Sequence, residues 1–224
     1  MRYFPSVEDF NLDTCTGKVL YLAHCDLDPI KALIEQTKIS TQAMVGIFGE
    51  TAIEFDEKGE HYSASQYFDM QSIFAARVVP LSYQSVLLIL FSVFEEAIKT
   101  WCRMLKIEND RIEEFDGFLK GRHLGELERA IKYIEKYSKI TGIEKDLLWD
   151  KIKTIRTARN AIVHNGGRVE EKYRKHLKKF NIGMREEDFG VYIDYETISD
   201  IYDTIMEFVD RIFSQAICSK NEVR

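Results

Sequence analysis

Leu87, Phe91, Phe94, Ile98, Trp101 and Leu105 recur at alternating spacings of four and three. That repeat puts all six on one face of an α-helix, and a helix striped in this way has to bury the face against other helices. Three more stripes follow. Leu124, Leu127, Ile131, Ile134 and Tyr137 run toward Gly142, and Leu148, Ile152, Ile155, Arg159, Ile162 and Val163 stop at Asn165-Gly166-Gly167, a sequence suited to a helix C-cap. Ile198, Ile201, Ile205, Phe208, Ile212 and Ala216 form the last, opened by the capping-box string Thr197-Ile198-Ser199-Asp200. Only 3 Pro and 12 Gly break the 224 residues, too few for a many-turned β-sandwich. These patterns predict an all-α fold, an up-and-down four-helix bundle. Val191, Ile193 and Tyr195 alternate as a short strand would near 190–195.

Ahead of the bundle, residues 1–26 read as irregular. Asp28-Pro29 has the form of an N-cap followed by Pro at the first helical position, and Ser63-Ala64-Ser65-Gln66 opens another helical stretch, which Pro80 kinks. Glu57-Lys58-Gly59-Glu60 reads as a turn between them. One or two extra N-terminal helices are therefore expected. The division is an N-terminal helical extension over 1–79 and one compact bundle unit over 80–218.

Net charge is −6, so bulk electrostatics exclude a general polyanion binder, and a nucleic-acid site has to be a local basic patch. The four cysteines, Cys15, Cys25, Cys102 and Cys218, form no CxxC pair, which fits free thiols and a cytoplasmic protein better than a disulfide or zinc framework. The Met1–Asp9 string lacks an apolar signal core. The uncharged stretch 78–94 falls short of the ~20 apolar residues a membrane span needs, so it is expected to be a buried core helix, with no membrane partner.

One position departs from the bundle pattern. At 100° per residue, Arg159 lies within roughly 60° of Leu148, Ile152, Ile155, Ile162 and Val163. A guanidinium inside an apolar stripe is costly unless it has a partner or borders an open cleft. Two readings are open: a structural Arg that snorkels outward or pairs with an acid such as Glu95, and an anion clamp in a groove.

The local string Arg159-Asn160-Ala161-Ile162-Val163-His164 resembles the signature of the HEPN family (higher eukaryotes and prokaryotes nucleotide-binding), which is Arg, four to six residues, then His, with a polar Asn directly after the Arg. The Arg-to-His spacing alone arises about once by chance in a chain of this composition; with the Asn, the expectation drops to roughly 0.02. The resemblance implies an all-α bundle that acts as a homodimer with a composite active site. It further implies a metal-independent endoribonuclease, often a toxin or defence effector, with a protein antitoxin or regulator as a further partner. The catalytic set it suggests is Arg159, Asn160 and His164, with Glu95 pairing Arg159 or poising His164.

That chemistry suits the residue types. Metal-free RNA cleavage uses the 2′-hydroxyl as nucleophile and needs proton transfer near neutrality, which His can supply, and a cationic fork for the phosphate, which Arg can supply. Five residues separate Arg159 from His164, roughly 140° around an ideal helix, so one groove receives both only if the helix distorts or a second copy contributes. The family's AMP-accepting Tyr, two residues after the His, is replaced by Gly166, which leaves the regulator open.

Beside the motif, residues 165–185 carry seven cations, Arg168, Lys172, Arg174, Lys175, Lys178, Lys179 and Arg185, against Glu170 and Glu171. Tyr173 and Phe180 are interleaved and suited to stack on bases, so Arg168, Lys172, Arg174, Lys175, Lys178 and Lys179 are candidate RNA-binding residues in a basic connection. An acidic stretch beginning at Glu186, Glu187 and Asp188 follows. No phosphate loop, dinucleotide fingerprint or metal-ligand spacing occurs, so no cofactor and no metal is expected. A non-catalytic HEPN-like bundle that binds RNA, nucleotide or a protein partner is the alternative function.

Overall fold

The computed structural model describes residues 10, 12, 15–120, 123–138, 140–185 and 190–221, and its regular elements are helices. Its helices are α1 (Cys15–Glu57), α2 (His61–Ile73), α3 (Val79–Glu108), α4 (Glu126–Ser138), α5 (Leu147–Asn165), α6 (Glu171–Lys179) and α7 (Tyr195–Asn221). A π-helical turn, Phe74–Val78, joins α2 to α3, and a 3₁₀ turn, Ile143–Lys145, precedes α5. The fold is all-α, as the stripes predict.

Several local expectations are corrected. Helix α1 begins at Cys15, so the stretch read as irregular is helical from there on and Pro29 lies inside the helix. A mid-helix Pro costs about 3 kcal/mol. The buried series Val19, Ala23, Leu27, Ile30 and Ile34 runs straight through it, and each of its Val, Leu and Ile side chains contributes about 1.5–3 kcal/mol when fully buried. Non-local burial therefore overrides the local stop signal. Pro80 falls in the first turn of α3, and the backbone widens into the π turn just before it, where the Val79 N–H donates to the Phe74 carbonyl.

The basic connection contains a helix, α6. The expected strand near 190–195 is reduced to isolated bridges, Arg168 with Gly190 and Met184 with Val191, and α7 already begins at Tyr195. Val191 and Ile193 are buried as the alternation predicts, yet no ladder extends along them. The α7 cap is Asp194, whose Oδ1 accepts from the Thr197 N–H at 2.8 Å, one turn earlier than the capping-box reading. Glu186, Glu187, Asp188 and the Met1–Asp9 string lie outside the described residues.

Two compact units emerge, and they do not follow the expected 1–79 and 80–218 division. One comprises residues 1–29, 90–156 and 201–224; the other comprises 30–89 and 157–200. Periodicity reports single helices, whereas compactness depends on which distant segments share a core.

The first unit is built on aromatic packing. Trp101 stacks on Phe213 with ring centroids 4.0 Å apart, and Phe208 packs on both Phe94 and Trp149. Arg156 and Glu128 form a half-buried ion pair at 2.5 Å, in the space left by the missing side chain of Gly125. Cys102 is buried and free, and burial raises its thiol pKa far above the ordinary range; Cys25 is exposed and free.

In the second unit, Leu177 of α6 is buried, as are Val169, Ile182, Val191 and Ile193 around it in sequence. Gln84 donates to the Val191 carbonyl at 2.8 Å, and the Tyr195 hydroxyl donates to Glu35 at 2.6 Å. Tyr83 is buried, which raises its phenol pKa.

The run His61–Glu108 is long and apolar enough, by length and composition, to cross a membrane. Its apolar stretch is not the fully buried helix expected for 78–94. Tyr83, Val86, Leu87, Leu90, Phe91 and Phe94 are buried, while Val78, Leu81 and Ile89 are exposed on the other side.

Candidate functional site

Helix α5 ends at Asn165, and the next two residues are Gly166 and Gly167, both with positive φ (58° and 86°). Only glycine adopts that pair of conformations without strain. The reversal lets the Gly167 N–H reach back to the Ala161 carbonyl (2.9 Å), while the Gly167 carbonyl accepts from the Val191 N–H (2.8 Å). Arg168 to Tyr173 is thereby turned back beside the last turns of α5.

The result is a cleft of about 230 Å³ within the second unit, lined by Thr157, Asn160, Ala161, His164, Asn165, Arg168, Val169, Glu170 and Tyr173. Asn160 and His164 are one turn apart on the same face of α5, which explains why both line it. Arg168 enters from the loop, Glu170 from the residue before α6 and Tyr173 from the first turn of α6.

The motif Arg takes a different position. Helix α5 is regular through Asn165, so the distortion that would turn Arg159 and His164 to one side does not occur, and Arg159 is not among the residues that line the cleft. Arg159 is half-buried. Its Nη1 donates to the Asn160 Oδ1 at 3.1 Å, and its Nε is buried without a hydrogen-bond partner among the described residues. Asn160 thus joins the guanidinium to the cleft: its carbonyl oxygen holds Arg159, and its amide N–H groups remain to donate elsewhere. The stripe read around Arg159 also ends early. Ile152 and Ile155 are fully buried, but Val163, one turn beyond Arg159, is 45% exposed. Glu95 is a half-buried residue of α3 in the first unit and does not line the cleft.

The cationic residues are ordered by α6 rather than scattered along a loop. At 100° per residue, Lys172, Lys175, His176 and Lys179 share one exposed side of the helix, and Leu177 faces the opposite way into the core. Lys178 is exposed at the edge of that face. Some of these groups have partners: Lys172 pairs with Glu170 (2.7 Å), Arg174 Nε donates to the Val169 carbonyl (3.4 Å), and the Lys179 ammonium sits 4.9 Å from the Phe180 ring centroid. Tyr173 is 37% exposed, with the Lys172 ammonium 4.8 Å from its ring centroid.

Sequence reasoning missed two contributors. Glu170 counted there only as an opposing charge, and His176 did not count at all. The helical period of Leu177 with the lysines would have placed His176, but no signal in the sequence brings Glu170 into the cleft. Among the described residues, no cluster of three or more His, Cys, Asp or Glu side chains is set to hold a metal ion. Compared with known proteins, the chain matches no family model, no curated protein and no solved structure.

Proposed function

We propose that this chain is a metal-independent endoribonuclease of HEPN type, built on an HEPN-like four-helix bundle, that cleaves single-stranded RNA by 2′-hydroxyl attack. The observation that carries the reading is the shared cleft: His164 for proton transfer, Asn160 and Arg168 for the phosphate and Tyr173 for a base line one cavity, flanked by the lysine face of α6. Arg168 offers a planar fork of donors to phosphate oxygens, and a half-exposed Tyr offers a stacking face. The cavity's size suits one nucleotide unit of a longer strand.

Arg159 holds Asn160 in this scheme and stabilises negative charge through it. A homodimer in which a second copy closes the cleft from outside fits this scheme. A toxin or defence role, with a protein antitoxin or regulator restraining the activity, fits such an enzyme.

The test is single-stranded RNA cleavage by the wild type and by His164→Ala, each with and without EDTA. Wild-type cleavage should survive EDTA, and His164→Ala should lose it at least 100-fold while keeping its helical content. Metal dependence, or full activity without His164, refutes the mechanism. The non-catalytic alternative draws on the position of Arg159 outside the cleft lining; RNA binding in the same range for both proteins, with cleavage by neither, would establish it.

A further inference from the structure

Transesterification of RNA needs two proton transfers, one from the attacking 2′-hydroxyl and one to the departing 5′-oxygen. A single imidazole in one protonation state serves only one of them. The cleft holds three side chains that exchange protons: His164, Glu170 and Tyr173. Of the three residue types, a phenol is by far the poorest proton acceptor near neutrality, which leaves the imidazole and the carboxylate. Glu170 is a carboxylate in a cavity whose lining also includes Asn160, Asn165, His164 and Arg168, four side chains suited to an anion. A carboxylate repels phosphate, so it weakens the site as a phosphate pocket. It suits the site as an acceptor for a proton that leaves during the reaction.

We infer that Glu170 is the general base partnering His164 as general acid within the same protomer's cleft, a role that rests on the nuclease reading above. In the step, the Glu170 carboxylate takes the 2′-hydroxyl proton as the 2′-oxygen bonds to phosphorus. The bond from phosphorus to the 5′-oxygen breaks, and protonated His164 gives its proton to that oxygen. The products are a 2′,3′-cyclic phosphate and a 5′-hydroxyl end, so atoms and charge balance with no further reactant.

The groups around Glu170 fit this role. Lys172 holds it at 2.7 Å, with Glu170 60% and Lys172 63% exposed. An exposed pair of this kind is weak and readily exchanged. An arriving phosphate draws off Lys172 and leaves the carboxylate free next to the sugar. Arg168, on the other side in sequence, holds the phosphate that Glu170 would otherwise repel.

The test is a comparison of Glu170→Gln, Glu170→Asp, His164→Ala and the control Glu171→Gln on a single-stranded RNA from pH 4 to 9, with RNA affinity measured in parallel. Wild type should give a bell-shaped rate profile, with an acid-side and an alkaline-side limb, as a paired general base and general acid require. Glu170→Gln should lose about 10²–10⁴-fold in kcat and the acid-side limb, while binding RNA at least as tightly. Glu170→Asp should recover part of the rate, and Glu171→Gln should match wild type. Mixing Glu170→Gln with His164→Ala protein should restore nothing, because each cleft still lacks one group. Wild-type rates in Glu170→Gln with the acid limb intact, or activity restored by mixing, overturn the assignment while the nuclease reading stands. Wild-type protein without RNA cleavage refutes the nuclease reading itself, and the assignment with it.

Discussion

Arg159→Leu separates a residue kept for function from one kept for structure. The guanidinium is half-buried on a face that also carries Ile152 and Ile155, and its Nε is buried without a partner. An orphaned buried donor costs about 1–3 kcal/mol, which Leu relieves. The exchange loses the Nη1 bond to Asn160, worth about 1 kcal/mol, and gains a similar amount from apolar contact. The balance favours the variant by about 1–3 kcal/mol, a rise in Tm of about 2–12 °C for a chain of this size. RNA cleavage should nonetheless fall at least 100-fold, because Asn160 loses the charge behind it. A stability gain with lost activity is the usual signature of a site maintained for function. The assay is a thermal melt by circular dichroism beside a cleavage time course. If Arg159 instead balanced a buried acid, removing it would strand a carboxylate at a cost of about 3–5 kcal/mol. A Tm lowered by 6 °C or more with cleavage intact refutes the reasoning.

Replacing Lys172, Lys175 and Lys179 together by Ala should weaken RNA binding and flatten the salt dependence by up to about three phosphate contacts; an unchanged slope would mean that the lysine face of α6 only solvates the helix. Leu177→Ala should destabilise by about 2–5 kcal/mol, since Leu177 is the fully buried residue anchoring α6, and α6 amides should then exchange faster than those of α4; unaltered exchange would show that α6 is held by other contacts. His24 supplies a pH test. Burial disfavours its charged form, but the Asp210 carboxylate at 2.8 Å and then Asp28 outweigh that, so its pKa is raised above the ordinary value. Its contribution to stability is therefore complete below the unfolded-state value of about 6.5 and is lost as pH rises through the folded-state value. The Tm difference between wild type and His24→Ala should shrink from pH 5.5 to pH 8.5, and a difference that widens over that range would contradict the pairing.

The all-α character, the stripes of α3, α4, α5 and α7 and the Gly166-Gly167 stop were legible in the sequence because each depends on residues within a few turns of one another. Helical spacing and the φ preference of glycine act locally, and no distant segment reverses them. That Asn160 and His164 share one face was legible for the same reason, since a spacing of four aligns them on a helix whatever surrounds them. What tertiary structure alone decided is what depends on segments far apart in sequence. It carried α1 through Pro29, because the burial of Val19 through Ile34 outweighs a missing hydrogen bond. It made a helix of the basic connection by giving Leu177 a core to enter, and that helix aligned the lysines. It kept Arg159 out of the cleft by holding α5 regular to Asn165, and it brought Glu170 in through the turn at Gly166-Gly167. Local preferences determine the striped helices and the glycine stop, whereas the burial of distant side chains against one another determines how far α1 runs, that α6 forms, and what each helix presents.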